Sequence, residues 1–71
     1  MRLHQVFGVN VRRLRKARGL TQEQLAHDLE LDVSYLGQIE RGERNTTLAV
    51  VEKAAAIFEI EPAILLVEIR A

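Results

Sequence analysis

The strongest chemical feature of this sequence is a run of positive charge near its start. Residues 12–18, RRLRKAR, carry five basic side chains and no acidic one. Residues 45–71 are the reverse, with Lys53 and Arg70 set against four glutamates. Such a division of charge suits a protein that turns one face toward phosphates, even though its formal net charge is +0. An ordinary solvated helix face is the alternative interpretation of the basic run.

Residues that commonly carry catalysis are few and poorly spaced. The chain has no cysteine, which excludes a disulfide framework and thiolate metal ligands. His4 and His27 are too few for a typical zinc site, and both lie too far along the chain from Ser34 to indicate a catalytic triad. No glycine-rich phosphate loop is present. We therefore expect no enzymatic activity, no metal and no cofactor.

The length of the chain favours a single small domain over residues 1–71. Its 71 residues are 48% hydrophobic, which is ample for a folded core but leaves a domain that often gains stability by pairing. No apolar run approaches the roughly 20 residues that a membrane span needs, and no secretion signal is evident. We expect a cytoplasmic protein with no membrane partner and no separate domain for a small-molecule effector.

Hydrophobic periodicity predicts an all-α fold of five helices, over about residues 3–18, 21–29, 32–41, 48–58 and 62–70. Thr21, Asp32 and Thr47 are well placed to cap the second, third and fourth helices. Pro62 suits the first position of the fifth, where its missing N–H costs nothing.

The second and third helices, residues 21–41, form a pair joined by a tight turn. In a helix-turn-helix, the second helix of such a pair lies in the DNA major groove and the first crosses the backbone. Small and apolar side chains must hold the two at a fixed angle, and Ala26, Leu31, Leu36 and Ile39 are spaced to do so. Glu30 stands in the turn where glycine is common, so we expect a strained backbone or a slightly different turn there.

The stretch LRKARGLTQEQLAHDLELDVSYLGQIERGERN resembles the lambda-repressor-like, Cro/XRE-type helix-turn-helix family. Its most specific parts are LR and GLTQEQLA within residues 14–26 and IERG at residues 39–42. The resemblance covers residues from about 7 to 67. It implies a compact five-helix DNA-binding domain that regulates transcription.

The resemblance also implies which residues contact DNA: Gln22, Asp32, Val33, Ser34, Tyr35, Gln38, Arg41, Arg44 and Asn45. Gln22 matches a phosphate-binding position at a helix start, where backbone amides attract anions. Val33, Ser34 and Gln38 match the base-reading positions of the recognition helix. Asp32 also suits a helix cap, and Tyr35 can equally pack on the domain.

Two further features qualify this assignment. Arg15 and Glu40 match a pair that forms a partly buried salt bridge behind the motif, so we expect their role to be structural. The recognition helix has no arginine at its front, although arginine to guanine is the commonest specific contact. We therefore expect DNA shape to supply part of the specificity.

Residues 62–71, PAILLVEIRA, hold more large apolar side chains than one stripe of a short helix can bury. Family members without an effector domain commonly dimerise through this region. The resemblance thus implies a homodimer whose interface lies within about residues 58–71 and includes Ile64, Leu65, Val67 and Glu68. A two-fold dimer predicts a palindromic operator with half-site centres about 34 Å apart. A simple core helix and a lost C-terminal segment are the alternatives.

The function expected from these features is transcriptional regulation by a sequence-specific, homodimeric DNA-binding protein. Within that class, the short length and the run YLGQIERGERN resemble controller proteins of restriction-modification systems, and phage-type repressors are close rivals. The alternative is an antitoxin-like DNA-binding module whose acidic C-terminal face contacts a toxin partner.

Overall fold

Four α-helices and one short 3-10 helix follow one another along residues 1–69, the part of the chain that the computed structural model describes. They are α1 (Leu3–Ala17), α2 (Gln22–Leu29), α3 (Val33–Glu40), α4 (Leu48–Phe58) and the 3-10 helix η1 (Pro62–Leu66). No residue of this part of the chain lies in a strand. The predicted all-α helix-turn-helix fold is confirmed.

The last helix is shorter and tighter than predicted. It ends at Leu66, and Val67 has extended backbone angles, φ −95° and ψ 125°; the predicted end at Arg70 falls outside the described residues. The cause is the buried side chain of Asn10, whose amide donates to the carbonyl oxygens of Leu65 at 2.8 Å and Val67 at 3.0 Å. Because these carbonyls point toward α1, they cannot continue a helical hydrogen-bond ladder.

Side-chain caps fix where α2, α3 and α4 begin. Thr21 Oγ1 accepts from the amide of Gln24 at 3.1 Å, and Gln24 Oε1 accepts from the Thr21 amide at 2.8 Å, which is a complete capping box. Asp32 and Thr47 accept from amides in the first turns of α3 and α4. The three predicted caps are therefore present.

The turn between α2 and α3 contains the strained backbone that was expected at Glu30. Its φ of 58° and ψ of 38° place Glu30 in the left-handed region, which costs a residue other than glycine roughly 1–2 kcal/mol. The Glu30 side chain pairs with Lys53 of α4. The hydrogen bond and the positive charge of Lys53 lower the pKa of Glu30.

The core lies between α1, α2, α3, α4 and η1, and its buried members are Phe7, Val11, Leu25, Ala26, Leu29, Leu36, Ile39, Val51, Ala54, Ala55, Phe58 and Leu65. Ala26, Leu36 and Ile39, which were predicted to hold α2 against α3, belong to this core, and Leu31 is partly buried against it. Leu65 is 0% exposed. Because Leu65 belongs to the core of this chain, its assignment to the dimer interface is wrong.

Close approach between α1 and α3 depends on Gly8. A Cβ atom on Gly8 would collide with the backbone carbonyl oxygen of Ile39 and would lie 3.2 Å from that of Glu40. Gly8 weakens α1 as an isolated helix, but it lets the two backbones touch. This contact brings the end of α3 within reach of Arg15, about two turns further along α1.

Replacing Gly8 by alanine should therefore destabilise the protein by about 1–3 kcal/mol, the usual cost of overpacking. Gly37→Ala is the matched control, because Gly37 is also a buried helical glycine. The nearest atom to a Cβ on Gly37 is the end of the Arg41 side chain at 3.2 Å, which is half exposed and can move. Urea unfolding should show Gly37→Ala as stable as the parent or up to about 1 kcal/mol more stable. A Gly8→Ala variant as stable toward urea as Gly37→Ala would contradict the role of Gly8.

Candidate nucleic-acid interface

One buried carboxylate joins three helices behind the motif. Glu40, the last residue of α3, is 6% exposed. Its Oε2 accepts from Arg15 Nε at 2.7 Å and its Oε1 from Arg15 Nη2 at 3.1 Å. Gln22, the first residue of α2, donates from Nε2 to the same Oε1 at 3.0 Å. The structure thus holds the start of α2, the end of α3 and α1 at fixed relative positions.

The third nitrogen of the Arg15 guanidinium has a partner of its own. Arg15 Nη1 donates to the carbonyl oxygen of Leu20 at 2.9 Å, so the guanidinium is bonded both to α3 and to the segment between α1 and α2. A buried ion pair is tolerated when its geometry is good and its remaining polar atoms are hydrogen-bonded, and both conditions hold here. The Arg15 side chain is thereby engaged inside the protein, in the structural position that the family resemblance implies.

The start of α2 offers donors to an anion. The backbone N–H groups of Gln22 and Glu23 lie in the first turn and have no acceptor within the helix. The side chain of Gln22 uses one N–H on Glu40, which fixes the amide and leaves its second N–H for another acceptor. Helix starts of this kind attract phosphate.

The outer side of α3 carries the predicted base-reading residues. Val33 is 38% exposed, Ser34 is exposed and Gln38 is half-buried. Ser34 and Gln38 are four residues apart, so they lie on adjacent turns of one side of the helix. Within residues 1–69, neither the Ser34 hydroxyl nor the Gln38 amide has a hydrogen-bond partner. Both groups are available to an external ligand.

Asp32 has a clear local role at the start of α3. Its carboxylate accepts from the backbone amide of Ser34 at 3.2 Å, so it caps the helix beside the base-reading residues. A capping carboxylate is also a poor neighbour for a phosphate. The geometry favours the capping role that the sequence allowed for Asp32.

Arg41 lies beside the start of α2. Its guanidinium packs over Gly37, close to the side-chain amide of Gln22, and its Nε donates to Glu43 Oε2 at 3.2 Å. The side chains of Arg41 and Glu43 are 56% and 55% exposed. An exposed pair of this kind contributes at most about 1 kcal/mol, so a phosphate can compete with Glu43 for Arg41.

Arg44 is supported by an aromatic ring. Its guanidinium carbon lies 5.2 Å from the centroid of the Tyr35 ring, which is within the range of a cation–π interaction. Tyr35 is half-buried and packs against the core. Tyr35 therefore packs on the domain and also positions Arg44, while Asn45 next to it is exposed.

Metal clusters and membrane-spanning helices are absent from the described part of the chain. Residues 1–69 contain no group of three or more histidine, cysteine, aspartate or glutamate side chains that could hold a metal ion. Among the helices in this range, none combines the length and the apolar character that crossing a membrane requires.

Sequence reasoning missed several contacts of this site. The donation from Gln22 to Glu40 spans 18 residues, and no local pattern signals it. The stacking of Arg44 on Tyr35 depends on how the chain turns after α3, which periodicity does not describe.

Comparison with known proteins places this geometry among transcriptional regulators. Residues 11–65 match a family model described as Helix-turn-helix. An uncharacterized HTH-type transcriptional regulator, YazB of Bacillus subtilis, is 41% identical over 56 residues, which cover 79% of this chain and 81% of that protein. Control protein C.BamHI of Bacillus amyloliquefaciens is 37% identical over 58 residues, with 80% and 72% covered.

Solved structures show the same fold. The restriction-modification controller protein C.AhdI from Aeromonas hydrophila aligns with a TM-score of 0.80 and 47% identity, covering 87% of this chain and 94% of that one. The structure of C.Esp1396I bound to a 25 base pair operator site aligns with a TM-score of 0.77 and 29% identity, covering 92% and 86%.

The buried pair can be tested by unfolding. Glu40→Met should destabilise the protein by about 3–5 kcal/mol, because it leaves the charge of Arg15 buried without a partner. The double variant Arg15→Met and Glu40→Met should recover part of that stability, since no unpaired charge remains. Glu43→Met, which breaks an exposed pair, should cost less than about 1 kcal/mol. Equal destabilisation in the single and double Glu40 variants would refute the charge-pairing explanation.

Proposed function

Because this chain belongs to the Cro/XRE-type helix-turn-helix family of transcriptional regulators, we propose that it is a sequence-specific DNA-binding regulator that acts as a homodimer on a palindromic operator. The observation that carries this proposal is the outer side of α3. Its polar side chains, Ser34 and Gln38, have no partner within residues 1–69, while the network around Glu40 holds α3 rigidly against α2.

In the proposed complex, α3 lies in the major groove. Gln38 and Ser34 hydrogen-bond to base edges, and Val33 contacts a thymine methyl group. Asp32 caps the helix and Tyr35 positions Arg44, so neither has to touch a base. The outer side of α3 has few side chains that can hydrogen-bond strongly to bases. In this proposal, the sequence-dependent shape of the DNA supplies the rest of the specificity.

Phosphates are held at two places beside the recognition helix. The start of α2, the side-chain amide of Gln22 and the neighbouring Arg41 bind one group of phosphates. Arg44 and Asn45, in the loop after α3, bind another. Contacts of this type set register and affinity but carry no sequence information.

The proposed dimer uses the apolar residues that remain exposed near the C-terminus. Ile64 is 49% and Val67 56% exposed, and Ile69 beyond Glu68 is 58% exposed. Exposed apolar side chains in one short segment are typical of an interface between copies. Leu65 is excluded, and Ile64, Val67 and Glu68 remain as the proposed contacts.

The similarity to C.BamHI and C.AhdI favours a controller protein over a phage-type repressor. C.Esp1396I binds an operator site, and we propose the same class of ligand for this chain. The proposed protein acts in the cytoplasm through the DNA-binding domain at residues 1–71. Because only the dimer binds both half-sites in this proposal, occupancy of the operator would depend on the concentration of the protein.

Selection from random-sequence DNA tests this function. The protein should enrich a palindromic site, and Gln38→Ala should then lower the preference for that site over a scrambled duplex. Arg44→Ala should weaken binding to both duplexes alike. It should also make the slope of log binding constant against log salt concentration shallower by about 0.9 for each phosphate that the variant no longer neutralises. Failure to enrich any palindrome would refute the proposed function as a sequence-specific regulator. If Gln38→Ala and Arg44→Ala changed site preference and salt dependence in the same way, the division into base and phosphate contacts would be wrong.

Sedimentation of the free protein tests the interface. The parent protein should be dimeric at micromolar concentration, and Ile64→Glu should yield a folded monomer because it places charge in an apolar contact. Val33→Glu, at another partly exposed apolar residue, should stay dimeric but lose DNA binding. A monomeric parent protein, or a dimeric Ile64→Glu variant, would contradict the proposed interface.

A further inference from the structure

The basic residues of α1 and its C-terminal cap fall into two groups. Arg15 is bonded to Glu40, and Arg18 donates to the carbonyl oxygen of Phe58 at 2.6 Å and lies over its ring. The others are Arg12, Arg13 and Lys16, which are exposed and have no ion pair or hydrogen bond within residues 1–69. The fold accounts for the first group but not for the second.

Helix geometry places Arg12 and Lys16 along the edge of α1 that borders α3. The contact with α3 is made by Gly8 and Arg15. Arg12 follows Gly8 by four residues and precedes Arg15 by three, so it lies on the same side of α1. Lys16 lies one turn beyond Arg12. Arg13 is rotated by about 100° from Arg12 and lies further from this contact than either ridge residue, on the side of Lys16 that faces away from α3.

The pair Arg12 and Lys16, here called the α1 ridge, is unfavourable for the isolated protein. Like charges four residues apart on a helix repel each other, and α1 contains no acidic residue that could offset them. Binding of an external anion would relieve this repulsion, which no acidic residue of α1 does.

We propose that the α1 ridge binds DNA phosphates next to those held by the start of α2. This inference rests on the proposed function and extends its footprint. Arg15 and Gln22 both donate to Glu40 Oε1, so α1 passes close to the start of α2 and the ridge flanks the phosphate site there. Successive phosphates of one strand are about 3.4 Å apart along the helix axis, so a strand that passes Gln22 presents further phosphates toward α1.

The test measures binding to two duplexes of equal length, the palindrome selected by the parent protein and a scrambled version, over a range of salt concentrations. The ridge variant is Arg12→Gln with Lys16→Gln, and Arg12→Gln is also made alone. Arg13→Gln is the control for Arg12→Gln, because it also removes one exposed arginine of α1 but lies further from the contact with α3. Thermal unfolding should show all three variants folded, since each reduces the repulsion along α1.

The slope of log binding constant against log salt concentration is negative, and the ridge variant should make it shallower. The change should be about 0.9 for each phosphate that the variant no longer neutralises, counted over both protomers of the dimer. Its preference for the palindrome should not change, because phosphate contacts carry no sequence information. Arg13→Gln should change the slope far less than Arg12→Gln, although each removes one charge. A ridge variant with the parent slope, or with the same slope as Arg13→Gln, would overturn the proposal and would favour an acidic protein as the partner of the ridge. If the parent protein selects no palindrome, the proposed function itself fails, which is a separate result.

Discussion

The carboxylate of Glu40 is the constraint on which the arrangement of the first three helices depends. It lies where α1, the start of α2 and the end of α3 meet, and it accepts hydrogen bonds from both Arg15 and Gln22. The charge can be buried only because its partners approach it closely, and Gly8 allows that approach because it places no side chain where the backbones of α1 and α3 touch. One glycine and one carboxylate thus set the orientation of α3 relative to the rest of the domain.

This constraint divides the polar residues of the motif into two classes. Arg15 and Glu40 satisfy each other inside the protein and have little left for a ligand. Ser34 and Gln38 have no partner within residues 1–69, and the backbone donors at the start of α2 are open. A rigid frame with unsatisfied groups on one side is what a recognition surface needs, because the ordering cost is met during folding and not during binding. The proposed function follows from that division more than from any single residue.

Local features of the fold could be predicted from the sequence, and long-range ones could not. The caps at Thr21, Asp32 and Thr47 depend on residues within one helical turn, so the pattern of residue types is sufficient. The left-handed turn at Glu30 was also foreseeable, because glycine is common there and this chain lacks it. The end of η1 was not, since it depends on hydrogen bonds from Asn10 across 55 and 57 residues.

The candidate site shows the same limit. Resemblance to a family supplied the positions that are proposed to contact DNA and the pair Arg15 and Glu40. It did not show that Gln22 bonds to Glu40 or that Tyr35 supports Arg44, because these contacts depend on how the chain packs. Leu65 is the opposite case. Its place in an apolar segment suggested an interface, but packing against the core buries it completely.

The central claim is that the start of α2 and the outer side of α3, held together by the Glu40 network, contact DNA. The most direct test is to map by NMR the amide chemical-shift changes that follow addition of the selected duplex. We expect changes that cluster at the start of α2, along α3 and in the loop at residues 41–45, the segments that the Glu40 network and the turn after α3 hold together. Changes concentrated on the second half of α4 and on η1, with the start of α2 unaffected, would contradict this arrangement.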